Sequence, residues 1–476
     1  MDFLRSACLF IICSYAFMFV LFTLLHIFSM IAEYIRARTA NQKSHIVDYK
    51  EYVGMENLIP VSLIIPVSND GDAVVDAVNR ALSIDYKLYE IIVVDDGSSD
   101  NTSQNIIGAF GMEQIESAIK RTIPHRIIRE VWYSAKYPNL LYIKKDKGGT
   151  FDAVNCGLNA SQYPLYICID PRGEYEKDAI LRLSVEFFKD SATIVSSGVL
   201  RIQNRQDSNR VAGKSIATSV TYLQGVQMAE CTRMTGYDKT SRDAYHILYA
   251  KCGSFSLISK QLAYDMKGYK TDTEQADYDM LLSIERHMRK NKKVYKLVKH
   301  GDVMCMVNEN THYVDAMVKA KRFQNAQFDL LKEFFGSIFT FKYKSFGLYK
   351  IPYNIVFNIL YPFMECLAYI ALPLTFNMQW MGSRTLIFVF FIYVLVNILL
   401  TIGAFLTDQK ANKNYLTPKF VLVALLFSLV ETFGYRQLML LSRFIGFFSY
   451  FPYKRNYKTE KKEYETKYSK RRVDIP

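Results

Sequence analysis

Two consecutive aspartates, Asp95 and Asp96, follow the apolar run Ile91-Ile92-Val93-Val94 and lead into Gly97-Ser98-Ser99-Asp100. An unbroken apolar run of this kind reads as a strand buried on both faces, the habit of parallel sheets. Its carboxylates then stand at the carboxyl edge of the sheet, where open α/β sheets bind ligands. The plainer reading is that they cap the next helix, and this motif alone does not separate the two. More chemistry-bearing groups follow in order. Lys147-Gly148-Gly149-Thr150 is a glycine turn feeding a short helix. The run Leu165–Ile169 ends at Asp170-Pro171-Arg172-Gly173. Gly253-Ser254-Phe255-Ser256-Leu257 precedes Gly268-Tyr269, Ala276-Asp277-Tyr278-Asp279 and finally Lys319-Ala320-Lys321-Arg322-Phe323.

The elements that position these groups alternate in type. Val61-Ser62-Leu63-Ile64-Ile65-Pro66-Val67 reads as a buried strand ended by a turn at Ser68-Asn69-Asp70, and Ala73–Ser83 reads as a helix. Strand-like and helix-like stretches continue to alternate up to about residue 350, which indicates an α/β domain with a Rossmann-like sheet. The stretch Gly108–Trp132 reads only as a longer connection.

In this order, and flanked by apolar segments, the series resembles the family 2 inverting glycosyltransferases of the membrane-embedded, processive type, such as cellulose, hyaluronan and poly-N-acetylglucosamine synthases. The resemblance implies a GT-A fold with transmembrane helices and a nucleotide-activated donor, usually a UDP-sugar. It assigns Asp95 and Asp96 to the uridine, whose N–H and hydroxyl groups need acceptors. The family's DxD carboxylates hold the diphosphate through Mg²⁺ or Mn²⁺, and Asp170 fits the first position. The base that takes the acceptor's proton falls on Asp277. The family's QxxRW motif, which helps hold the diphosphate and line the acceptor end, falls on Lys319, Arg322 and Phe323. Implied partners are a nucleotide-sugar, a glycan or lipid-linked acceptor, membrane lipid and other polysaccharide-synthesis subunits.

Five positions depart from the family pattern. Arg172 replaces the second DxD carboxylate and cannot ligate a metal, which puts the ion in doubt. Thr150 stands for Lys, Ala276 for Glu, Lys319 for Gln and Phe323 for Trp. Two readings follow. In one, Lys147, Arg172 and Lys319 supply fixed positive charge in place of a metal, since guanidinium forks suit phosphate geometry. In the other, the chain is a catalytically silent member of a polysaccharide synthesis or export complex.

Composition fixes the setting. The chain has 476 residues, half of them hydrophobic, and 59 basic against 46 acidic residues leave a net charge of +13. Its mean hydropathy is zero, so charge and apolarity must be segregated along the chain. Ala7–Ala32 is long enough to span a bilayer; it ends at Glu33, Arg36 and Arg38 rather than at a small-residue cleavage site, which suits a retained anchor more than a signal peptide. Tyr353–Phe376, interrupted by Glu365, and Thr385–Leu406 read as further spans. The stretch 420–451, broken by Glu431, Gly434, Arg436 and Arg443, reads as a hairpin or interfacial element. The tail 452–476 carries nine Lys or Arg against four acids. The resulting division is an anchor at 1–35, a cytoplasmic GT-A domain at 36–350 ending in an interfacial helix over Phe334–Tyr349, membrane or interfacial helices at 351–451, and a basic cytoplasmic tail at 452–476. A plasma-membrane location follows from that division.

Other features have plainer explanations. The eight cysteines form no CxxC pair and suit a reducing compartment. The basic run Arg289–Lys296 lacks the interleaved aromatic groups of a nucleic-acid patch and reads as a solvated helix end near anionic lipid. No P-loop that would drive a transporter is present.

Overall fold

The computed structural model describes residues 2–44, 58–116, 119–203, 222–236, 255–273, 275–308, 312–411, 426–431 and 434–471. Gly253 and Ser254, the segments 412–425 and 432–433, and the last five residues lie outside the described residues.

Among the described residues the sheet has ten strands, in the order β3-β4-β5-β2-β1-β6-β9-β8-β10-β7. Its centre is β1 (Val61–Val67), with all seven residues buried. On one side β1 pairs in parallel with β2 (Tyr89–Asp96), and β2 with β5 (Leu140–Lys145); on the other, β1 pairs in parallel with β6 (Leu165–Cys168). Four parallel neighbours therefore deliver their carboxyl ends to one edge. Pro66 sits in this central strand without disrupting it. The Ile64 carbonyl accepts from Ile169 on the β6 side. Pro66 shares the parity of Ile64, so its missing N–H faces β6 just where that ladder has ended.

The helices α2 (Ala73–Leu82), α3 (Thr102–Phe110), α4 (Thr150–Ala160) and α5 (Ala179–Lys189) connect these strands. In α2 the buried residues Val74, Ala77, Val78 and Ala81 recur at helical spacing and bury one stripe against the main core, built around Leu63, Ile65, Ile91 and Val93. The stretch 108–132 is more than a connection. It carries β3 (Met112–Gln114) and the start of β4 (Ile128–Ser134), which pair antiparallel and extend the sheet beyond β5. The other half of the sheet holds β8 (Thr193–Gln203), β9 (Phe255–Ser259) and β10 (Lys296–Asn308), with the short β7 (Glu174–Tyr175) at its edge. The helices α6 (Tyr222–Gly236), α7 (Lys260–Asp265), α8 (Ala276–Lys290) and α9 (Tyr313–Phe334) complete the domain.

Among the described residues, three helical stretches are long and apolar enough to cross a membrane: Asp2–Phe28 within α1 (Asp2–Ser44), Phe346–Asn377, and Ser383–Gly403 within α12 (Ser383–Ala411). The second contains α10 (Ile351–Ile355) and α11 (Tyr361–Asn377). Tyr15 and Phe22 of α1 pack on Tyr361, and Phe19 packs on Tyr393 of α12. The segment Phe334–Tyr349 is not the single interfacial helix expected. α9 ends at Phe334, and two single 3₁₀ turns follow, Phe335–Ser337 and Phe341–Tyr343. Phe339 and Lys344 there take left-handed φ values of 53° and 49°, which a continuing helix excludes. Phe335, Phe339 and Phe341 remain exposed.

The last helix, α13 (Tyr435–Arg471), runs through Pro452 and carries most of the basic tail. It packs on α9: the Phe328 ring meets Phe447 at 5.2 Å and Tyr450 at 5.3 Å, and the Tyr450 hydroxyl donates to Asp329 at 2.7 Å. Gly446 allows the approach, since a Cβ there would lie 3.0 Å from the Lys321 carbonyl oxygen.

Candidate active site

The carboxyl ends of β1, β2 and β6 open into a cavity of about 830 Å³. Its floor is Pro66, Val67 and Ser68 from β1 and the turn after it, Asp96 from β2, and Cys168 to Arg172 from β6. α4 contributes Thr150, Phe151 and Val154, and the start of α8 contributes Gln275 and Asp277. The roof is one stripe of α9, Asp315, Val318, Lys319, Arg322 and Phe323, at the spacing that puts residues on a single helical face. Asp96, Asp170, Asp277, Arg172, Lys319, Arg322 and Phe323 thus meet around one space.

The two aspartates of β2 divide their work. Asp95 is fully buried and absent from the cavity wall. Its carboxylate accepts the Ser98 N–H at 2.8 Å, the Ser103 hydroxyl at 3.0 Å and the Tyr142 hydroxyl at 2.8 Å, and so ties the turn, α3 and β5 together. Asp96 reaches the cavity and holds the glycine turn: Gly148 N–H donates to Oδ1 at 2.8 Å and Gly149 N–H to Oδ2 at 2.7 Å. A carboxylate at the N-terminus of α4 also complements the helix dipole. Gly97 takes φ +70°, and a Cβ there would lie 2.9 Å from the Lys147 nitrogen, so the two turns meet through glycine.

Lys145, not the expected Lys147, is the cation of this corner. Lys147 is exposed and does not line the cavity. Lys145 is the register partner of Asp96 on the neighbouring parallel strand. Its 1% exposed side chain pairs with Asp96 and, at 2.7 Å, with Asp152. Asp152 also accepts the Arg126 N–H at 3.0 Å. Strand alternation would put Lys145 and Lys147 on one side, so only the register of β5 against β2 singles out Lys145.

At the end of β6, the Arg172 N–H donates to the exposed Asp170 carboxylate at 2.8 Å, and the Arg172 guanidinium reaches Asp70 after β1. In the sequence Asp70 reads as an ordinary turn residue. Asp277, in the first turn of α8, accepts the Tyr278 N–H at 2.8 Å. Cys168 lies within electrostatic range of both carboxylates. Burial pushes its thiol up to about 12, and the charges of Asp170 and Asp277 add to that effect. Ala276 points elsewhere: it is fully buried in an apolar cluster with Met280 and Ile284, so its departure from Glu alters packing rather than the cavity wall.

An aromatic wall completes the space. Tyr269 stacks on Phe151 at 5.6 Å and 14°. Asn155 of α4 holds the Tyr269 backbone at both ends, donating to its carbonyl at 2.8 Å and accepting its N–H at 2.7 Å.

These side chains do not suit a divalent ion. Among the described residues no group of three or more His, Cys, Asp and Glu could hold a metal. At the DxD position Asp170 is followed by a guanidinium, whereas Mg²⁺ is met by hard oxygen ligands in an octahedron.

A mixed sheet whose four central parallel strands bring carboxylates and a basic helix together at their carboxyl edge, joined to apolar helices, has the GT-A arrangement. Residues 62–115 match the model of Glycosyl transferase family 2. It is 23% identical over 321 residues to the poly-β-1,6-N-acetyl-D-glucosamine synthase of Staphylococcus aureus (strain MSSA476), a match covering 67% of this chain and 66% of that enzyme. The synthase of Staphylococcus epidermidis is also 23% identical, over 368 residues that cover 74% of this chain and 76% of the relative. Among solved structures, a mannosyltransferase from Pyrobaculum calidifontis in complex with GDP-Man and Mn²⁺ aligns with a TM-score of 0.47 at 13% identity, covering 86% of this chain and 98% of the other.

Proposed function

We propose that the protein is a membrane-bound glycosyltransferase that moves a sugar from a nucleotide-sugar, with UDP as the nucleotide, to a polysaccharide or lipid-linked acceptor with inversion. The observation that carries this reading is the convergence of Asp96, Asp170, Asp277 and the basic stripe of α9 on one cavity. Similarity to synthases of an N-acetylglucosamine polymer makes UDP-N-acetylglucosamine the first donor to test.

In this reading Asp277 accepts the proton of an acceptor hydroxyl as its oxygen attacks the anomeric carbon from the face opposite the diphosphate. The bond from that carbon to the diphosphate oxygen breaks, and UDP leaves with the electron pair. Negative charge on the departing diphosphate is met by Arg172, Lys319 and Arg322, fixed cations at the cavity wall. Asp96 supplies an acceptor on the nucleoside side. The domain faces the cytoplasm of a multi-pass plasma-membrane protein, where nucleotide-sugars are available.

The test is UDP release by the protein in detergent, with UDP-N-acetylglucosamine and other UDP-sugars, with and without Mn²⁺. Turnover supports the reading. No turnover with any of these donors overturns it in favour of a catalytically silent subunit.

A further inference from the structure

A row of buried amides runs from the cavity into the helix that begins the second apolar stretch. Gln275 lines the cavity and is the N-cap residue of α8, two positions before Asp277. Its Oε1 accepts from Gln327 Nε2 of α9 at 2.7 Å. Gln327 Oε1 accepts from Asn354 Nδ2 of α10 at 3.1 Å, and Asn354 Oδ1 accepts from Asn358. The Asn358 carbonyl accepts from Arg443 of α13 at 2.8 Å. Arg443 returns to α9, donating to Gln324 at 3.0 Å and lying 5.1 Å from the ring centre of Phe323, a cavity residue.

The row starts and ends on the cavity and passes through the apolar helices between. Gln275, Gln327, Asn354 and Asn358 are all at most 8% exposed. Two asparagines in a stretch apolar enough to span a membrane are costly unless bonded. Here each amide is bonded to its neighbour in the row. Its two cavity ends are the N-cap of the helix bearing Asp277 and the α9 stripe bearing Lys319 and Arg322.

We propose that Gln327, Asn354 and Asn358 are positioning residues: they hold Asp277 in register with the cationic stripe of α9, so that turnover depends on the membrane helices being in place. For its kinetics this rests on the glycosyl-transfer reading. Misplacing a reacting group by about 1 Å can cost about 100-fold in rate, and a bonded buried network is a rigid means of preventing that.

The experiment compares the full-length protein with Gln327→Met and Asn354→Leu, each of which breaks the row with side chains suited to an apolar setting. It also includes Gln327→Glu, whose carboxyl group can still bond Asn354 and a rotated Gln275 amide. Two readouts are taken. Amide exchange at residues 276–280 should quicken by about tenfold in the two breaking variants, the effect of losing about one hydrogen bond, with exchange in the sheet unchanged. The kcat should fall about 10–100-fold with donor KM held within about twofold, and Gln327→Glu should recover most of the loss. Unchanged exchange at 276–280 overturns the proposal, whether or not the wild type turns over. So does faster exchange spread over the whole domain, which would mark a general packing role. A wild type that releases no UDP overturns the functional reading instead, and the exchange result still decides this one.

Discussion

Arg172 reaches across the mouth of the cavity to Asp70, placing Nη2 2.9 Å and Nε 3.1 Å from one carboxylate oxygen. The guanidinium is 65% exposed while Asp70 is 5% exposed, so the arginine is steered from a rigid base and keeps an open side toward the cavity. In the reading proposed above it faces the diphosphate. Arg172→Ala should lower kcat/KM by about 10–100-fold, the range for losing charge-assisted hydrogen bonds. Stability should change by less than about 1 kcal/mol, as for other exposed ion pairs. Wild-type turnover should survive EDTA. Arg172→Asp would bring a third carboxylate to Asp70 and Asp170, and should be inactive in EDTA and partly restored by Mn²⁺. UDP release under these conditions checks all three outcomes.

Asp277 is the candidate base. Asp277→Asn keeps the size of the side chain but cannot take a proton. Turnover should fall by about 10²–10⁴-fold, the usual contribution of a general base, while UDP affinity by calorimetry stays within about threefold of the wild type. A variant that keeps a tenth of the wild-type rate would move the base elsewhere.

Lys145 is shared by two buried carboxylates, Asp96 and Asp152. Lys145→Met leaves both without their cation, and breaking a buried pair from one side costs about 3–5 kcal/mol. A lower melting temperature in detergent is the expected result. Adding Asp152→Asn removes one orphaned charge and should regain part of the loss.

How far the sequence discloses this arrangement depends on the range of each relationship. β1, β2 and β6 are legible because an unbroken apolar run can be buried on both faces only in such a sheet, and their terminal aspartates then have one edge to occupy. The roof stripe of α9 follows from helical spacing once a single residue of it is placed. Lys145 and Lys147 are two positions apart and equally basic, and only the pairing of β5 with β2 decides which meets Asp96. Ala276 and Asp277 are adjacent, yet the phase of α8 turns one into the core and the other to the cavity. Asp70 with Arg172, and Gln275 with Gln327, are joined across 102 and 52 residues by tertiary packing alone. No local pattern announces such pairs.

Among the apolar helices, Glu365 of α11 and Arg436 of α13 form an ion pair at 3.0 Å, with Glu365 3% exposed. Arg436 also donates to Asn397 of α12 at 3.3 Å, so one guanidinium ties three helices. An acid at that depth is tolerated because it is paired and faces inward. Arg436→Leu alone should destabilise by about 3–5 kcal/mol, and the double variant Glu365→Leu/Arg436→Leu should be markedly less impaired. A double-mutant cycle of detergent melting temperatures measures the coupling.

Glu285 fastens the middle of α8 to the start of the second apolar stretch. It is 2% exposed, with Lys350 Nζ at 2.5 Å and Arg289 Nη2 at 3.0 Å. Burial alone would push its carboxyl up, but the Lys350 ammonium and the Arg289 guanidinium outweigh burial and leave it below its ordinary value of 4.5. Since the folded carboxyl is the stronger acid, the unfolded chain binds protons first as pH falls. The stability from this group is therefore complete above about pH 4.5 and is lost as pH drops through the lower, folded value. Asp279, six residues earlier, has the opposite sign. Burial raises its carboxyl above the ordinary value despite Lys270 at 3.0 Å, so it favours the folded state more as pH falls. Wild-type melting alone would mix the two, and the informative quantity is the difference between the wild type and Glu285→Gln. At neutral pH that variant leaves two cations without their acid and should be less stable by about 3–5 kcal/mol. The gap should hold down to about pH 4.5 and narrow below it. A gap independent of pH between 7 and 3 would mean that Glu285 holds α8 by packing rather than by charge.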